Sequence, residues 1–175
     1  MIVIHIKSTI DTEDFEKLYK DLDATVLINP SKSQMKRAII KEKDCVMIIG
    51  HGSEYGLFNH NLDGYILDSS IVNLLRNKII IGVWCYAGNF ADKYNLKGFF
   101  TSNFISNSSE LVDNGFQYFE GCDDVIQREN ILFSEKINKL IIDKTPLHEW
   151  IHNLQTNCSD YDFVKYNYEA FYYDE

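Results

Sequence analysis

With only two prolines in 175 residues, the chain leaves its punctuation to nine glycines and to scattered Asn, Asp and Ser. Cysteine is scarce too. Cys45, Cys85, Cys122 and Cys158 stand far apart with no C-x-x-C pair, which argues against a zinc knuckle and a disulfide framework. Positive charge is in short supply, 17 Lys and Arg against 26 Asp and Glu, for a net charge of -9. No basic cluster is present to neutralise phosphates, so nucleic acid is not an expected partner, while the acidity favours a basic substrate. No apolar run approaches the length that spans a bilayer, and Met1 to Ile6 lacks the basic start and cleavage site of a signal peptide. The expected setting is the cytoplasm, with no membrane partner.

What is present reads as alternating strands and helices. Short β-branched runs predict strands at 2–6, 25–28, 45–49 and 79–85, with a fifth at 98–105. Between them, Asp11 or Thr12 caps a helix carrying Phe15, Leu18, Tyr19 and Leu22. Ser31 and Gln34 have capping-box spacing ahead of Met35, Ala38, Ile39 and Ile40, and Asp68 caps a helix through Ile71, Leu74 and Leu75. The run 56–67 reads as a hairpin turned at Asp63-Gly64. Ser106 to Ser109 cap a helix with Leu111, Val112 and Phe116 inward, and beyond Gly121 a helical pattern runs through Ile131, Leu132, Ile137, Leu140 and Ile141. Another helix opens at Pro146. The aromatic tail 163–170 alternates with period two, as an edge strand does. Together these predict one α/β domain over 1–175, a three-layer sandwich with a mainly parallel central sheet.

In such sheets ligands bind beyond the carboxyl ends of the strands. Two chemically capable residues fall there. His51-Gly52 follows the strand 45–49, and Cys85 ends the strand 79–85, with Tyr86-Ala87-Gly88 behind it. A thiol becomes a good nucleophile only once deprotonated, so Cys85 is the candidate nucleophile and His51 the candidate base. The amides of Gly52 and Cys85 are candidates for an oxyanion hole, and Gly88 for the tight turn beneath a substrate.

The strand plus His51-Gly52, the strand plus Cys85-Tyr86-Ala87-Gly88, and the segment Gly98 to Glu110 resemble the caspase-like cysteine peptidases. The likeness is closer to the separase, gingipain and CHAT-type branch than to the caspases, and it covers the first two-thirds of the chain. It implies a caspase-like topology and a cofactor-free hydrolase, a cysteine endopeptidase acting on peptide or protein substrates. In that reading Cys85 attacks, His51 moves the proton, and the fifth strand, with Ser102, Asn103 and Phe104, lines the substrate groove beside Trp84. Bland roles stand beside these: Trp84 as a ring packed on a helix, Ser102 and Asn103 as turn formers. Val83-Trp84 replace the Gln-Ala that precedes the cysteine of caspases, so aspartate specificity is not implied. Relatives that cut after Arg or Lys use an acidic first pocket, for which Asp63, Asp68 and Asp92 are the candidates.

Two other readings compete. The same fold serves as a catalytically silent protein-binding module if its groove is closed. Separately, His148-Glu149-Trp150-Ile151-His152 matches H-E-x-x-H, whose two imidazoles share a helix face in zinc peptidases, with Glu169 as the candidate third ligand. Against it, Pro146 places the pair in the first turns of a helix whose Leu147, Trp150, Ile151 and Leu154 face inward.

Overall fold

The computed structural model describes residues 1–156, 158–169 and 171–174, without the side chains of Ile10 and Asp11. It is a mixed α/β structure in three layers. Strands β1 (Ile2–His5), β2 (Thr25–Ile28), β3 (Cys45–Ile49), β7 (Ile79–Val83), β8 (Lys97–Phe100) and β9 (Tyr172–Asp174) form a six-stranded sheet in the order β2-β1-β3-β7-β8-β9. The first five strands are parallel and β9 runs antiparallel along the outer edge of β8. A small antiparallel sheet, β4 (Gly52–Ser53), β5 (Gly56–Phe58) and β6 (Tyr65–Leu67), follows β3 directly.

Val46, Ile48 and Ile80 face one layer with Met35 and Ile39 of α2 (Lys32–Lys41) and Phe90 of α3 (Ala87–Tyr94). Met47, Ile49, Ile81 and Val83 face the other, which holds the short α1 (Ile10–Glu13) and the 3-10 turn 14–19. It also holds α4 (Ser108–Asp113), α5 (Cys122–Ile142), α6 (Leu147–Thr156) and α7 (Asp162–Glu169). The central strands are buried on both faces, and each fully buried aliphatic side chain there contributes about 1.5–3 kcal/mol.

The capping box at Ser31 and Gln34 forms as expected, with the Gln34 amide donating to Ser31 Oγ. Other expectations are corrected. The helix through Phe15 and Leu18 is a 3-10 turn, and its entry is capped at Thr9 instead of Asp11 or Thr12. Beyond Asp68 only a 3-10 turn, Val72–Leu74, forms. The hairpin β5–β6 closes over the longer loop 59–64. Ile40, Val112 and Leu132 point to solvent. The fifth strand stops at Phe100: the Thr101 amide still donates to Gly82 of β7, but the Thr101 hydroxyl turns to the Trp84 carbonyl in the loop beyond it. Residues 163–169 are helix α7, not an edge strand. Ala170 lies outside the described residues, and the edge strand is β9.

Candidate active site

Ile49 of β3 pairs with Val83 of β7, so His51 and Cys85 each stand two residues past partnered positions on adjacent parallel strands. Ile49 and Val83 share one face of the sheet, and the period-two alternation carried two residues on brings His51 and Cys85 to that face. They line one cleft, with Thr12, Phe15, Gly50, Trp84, Phe104 and Ser106. The cleft is narrow: only about 10 Å³ of it admits the centre of a water-sized sphere, at the limit for a single water. A larger hollow of about 590 Å³ lies away from it between β2 and α2, with no Cys or His in its walls.

The cysteine sits on a sharp strand-to-helix turn. Tyr86 adopts φ 64, a left-handed conformation that costs a side-chain-bearing residue of order 1–3 kcal/mol and persists only when its surroundings hold it. They do. The Tyr86 amide donates to the Ser102 carbonyl (2.9 Å) and the Gly88 amide to the Thr101 carbonyl (2.9 Å). Thr101 Oγ1 accepts from the Trp84 amide (3.1 Å) and donates to the Trp84 carbonyl (2.8 Å). The turn itself is therefore made by Tyr86. Gly88 lies inside α3, where a Cβ would come within 2.8 Å of Tyr172 Cβ on β9. Because α3 begins two residues after Cys85, its amide-rich end favours negative charge near the sulfur. Cys85 Sγ donates to the Phe104 carbonyl at 3.4 Å.

His51 is held from two sides. Nε2 lies 2.7 Å from Thr9 Oγ1, and Nδ1 faces Glu110 Oε1 at 3.9 Å. Its neighbour Gly52 has no room for a side chain, since a Cβ would lie 2.3 Å from a Trp84 ring carbon and 2.6 Å from the Gly56 carbonyl oxygen. The Phe58 amide donates to the His51 carbonyl (2.9 Å), which makes 51 and 58 a hydrogen-bonded pair of the antiparallel ladder. Gly52 and Leu57 are then the non-bonded pair, and the Gly52 N–H points away from β5, as an oxyanion donor must.

No family model matches this chain, and no curated protein matches it. The residues themselves carry the reading.

Of the residues expected to contact substrate, Phe104 and Trp84 line the cleft. Phe104 is buried among Phe15 and Phe133, while Trp84 lies under the turn with its Nε1–H donated to the Ser53 carbonyl (3.3 Å). Ser102 supplies its carbonyl to Tyr86, and Asn103 turns toward α4 and α7, donating to Asn114 Oδ1 and to the Tyr166 hydroxyl. The outer edge of β8 is taken by β9. None of Asp63, Asp68 and Asp92 reaches the cleft: Asp63 accepts from Asn59, and Asp68 pairs with Lys32 at 2.6 Å.

His148 and Glu149 are more than half exposed on α6 and 3.7 Å apart, and His152 is exposed as well. Trp150 and Leu154 of the same helix are buried, as its inward stripe predicts. Among the described residues no group of three or more His, Cys, Asp or Glu is placed to hold a metal, and Glu169 is not brought to the pair.

Thr9, Glu110 and His5 escaped the sequence reading. His5 ends β1, fully buried, with Nε2 donating to the Thr12 carbonyl (2.8 Å) and Nδ1 3.0 Å from the Tyr19 hydroxyl. Burial pushes its pKa down to about 4, so it is neutral and ties down the turn that carries Thr9. The one available signal was its place at a strand end.

Proposed function

We propose that the chain is a cysteine endopeptidase of caspase-like topology, with Cys85 as nucleophile and His51 as base. One observation carries this: a thiol and an imidazole lie in register at the carboxyl ends of adjacent parallel strands and wall the same cleft. The sheet order, with its single antiparallel strand at the far edge, supports the topology. His51 takes the proton from Sγ, and the thiolate adds to the scissile carbonyl carbon. The resulting oxyanion is held by the Gly52 and Cys85 amides. The C–N bond then breaks as the imidazolium protonates the leaving amine, and water, deprotonated by His51, hydrolyses the thioester.

A hollow of about 200 Å³ bounded by Asp14, Asp123 and Asp124 shares Ser106 with the cleft and supports a basic residue near the cut. The test is cleavage of a fluorogenic peptide library, with Arg- and Lys-containing members expected to lead. Cys85→Ala is expected to lose all cleavage with little change in melting temperature, and iodoacetamide to modify Cys85 before the other three cysteines. Cys122 is buried, and burial pushes Cys45 up to about 11. Cleavage retained by the variant refutes the mechanism.

The near-closed cleft and the thiol bound to Phe104 favour a second reading, a catalytically silent binding module. Uniformly slow alkylation of all four cysteines, with no peptide cut, would favour it.

A further inference from the structure

We propose that Glu110 is a positioning residue for His51, and that Ser106 fixes Glu110 in that role. This rests on the peptidase reading of the same cleft. The two oxygens of the Glu110 carboxylate have different neighbours. Oε2 accepts two hydrogen bonds from Ser106, one from its amide (2.7 Å) and one from its hydroxyl (2.9 Å), so the carboxylate cannot rotate without losing both. Oε1 is left facing His51 Nδ1 at 3.9 Å, close enough for charge to act and to contract to a hydrogen bond when the ring becomes cationic. The backbone is set as well: the Glu110 amide donates to Asn107 Oδ1 (2.9 Å) in the first turn of α4.

The support runs two layers deep. The Ser106 carbonyl accepts from Asn130 Nδ2 of α5 (2.9 Å), and Ile105 exchanges two hydrogen bonds with the Asn167 side chain of α7, at 2.8 and 3.0 Å. Ser106, Asn130 and Asn167 are buried. Buried amide and hydroxyl groups cost free energy unless they are hydrogen-bonded, and here α5 commits Asn130 to Ser106, which holds the carboxylate, and α7 commits Asn167 to the neighbouring Ile105. The arrangement favours one tautomer. With Nδ1–H turned toward Glu110, Nε2 keeps its lone pair, now taken up by the Thr9 hydroxyl and usable for the Cys85 proton once Thr9 yields.

Among the described side chains, Glu110 from α4 and the Thr9 hydroxyl from the turn before α1 face the imidazole, and Cys85 from the turn after β7 lines the same cleft. The remaining cleft walls, Thr12, Phe15, Trp84, Phe104 and Ser106, carry no charge. The experiment is an NMR titration of the His51 ring in the full chain, wild type against Glu110→Gln and Glu110→Asp, with peptide cleavage measured on the same samples. Removing an opposite charge at this range is expected to lower the His51 midpoint by about one unit or more. It is also expected to lower kcat by about tenfold or more with KM little changed, and Glu110→Asp is expected to recover at least half of each. A His51 midpoint that is the same in wild type and Glu110→Gln overturns the proposal, as does a Glu110→Asp variant no better than Glu110→Gln. Because the titration needs no turnover, it decides the role of Glu110 even if no peptide is cut, an outcome that fails the peptidase reading alone.

Discussion

His51 lies just past a strand buried on both faces, its ring held by a hydroxyl and a carboxylate from two other elements, whereas His148 and His152 project from the outer side of α6. Both were candidates for chemistry by residue type and spacing. What separates them is the cost of placement. Around the His51 cleft the chain holds a left-handed tyrosine, a glycine with no room for a Cβ and buried polar side chains on two helices. Around His148 it spends nothing, since the helix is paid for by Trp150 and Leu154 underneath. A His5 comparison adds a third case, a strand-end histidine used wholly as scaffold.

The strongest test of this contrast concerns His5. Its folded pKa of about 4 lies below the usual 6.5, so the unfolded chain takes a proton that the folded chain refuses. The stabilisation is complete above pH 6.5 and falls away as the pH drops toward 4, by about 3 kcal/mol. Urea unfolding at pH 7 and pH 4 is expected to show that loss in wild type and not in His5→Gln, beyond the slope both share. Next, Gly52→Ala is expected to destabilise by about 1–3 kcal/mol, because the new methyl meets the Trp84 ring and the Gly56 carbonyl; urea midpoints measure it. Smallest of all, His148→Ala and His152→Ala are each expected to change stability by no more than about 0.5 kcal/mol and to leave peptide cleavage as it was. A marked loss of cleavage in either would overturn the contrast.

Strands β1, β2, β3 and β7 were legible because each is a short β-branched run with a sharp stop, and the caps at Ser31 and Asn107 because they act within four residues. That His51 and Cys85 line one cleft followed from strand order. The errors in α5 and α7 share a physical cause. In α5 the inward stripe includes Asn130 and Ser134, and in α7 it includes Asn167, so an apolar-only pattern chose Leu132 and a period-two strand. Asn167 and Asn130 face inward because they hold Ile105 and Ser106, and the Ser134 hydroxyl donates to the Asn130 carbonyl within α5. The same displacement hid Glu110, whose partner His51 is distant in sequence and whose anchor Ser106 looked like an ordinary cap.

The narrowness of the cleft has a kinetic consequence. If a peptide enters only when Thr12 and Phe15 swing aside, every apparent constant is multiplied by the fraction of molecules caught open, and a rare open form weakens apparent affinity in proportion. Reagents would then be sorted by bulk before they are sorted by chemistry, and a mutation that loosens the Phe15 ring from Phe104 would speed large ones while leaving small ones unmoved.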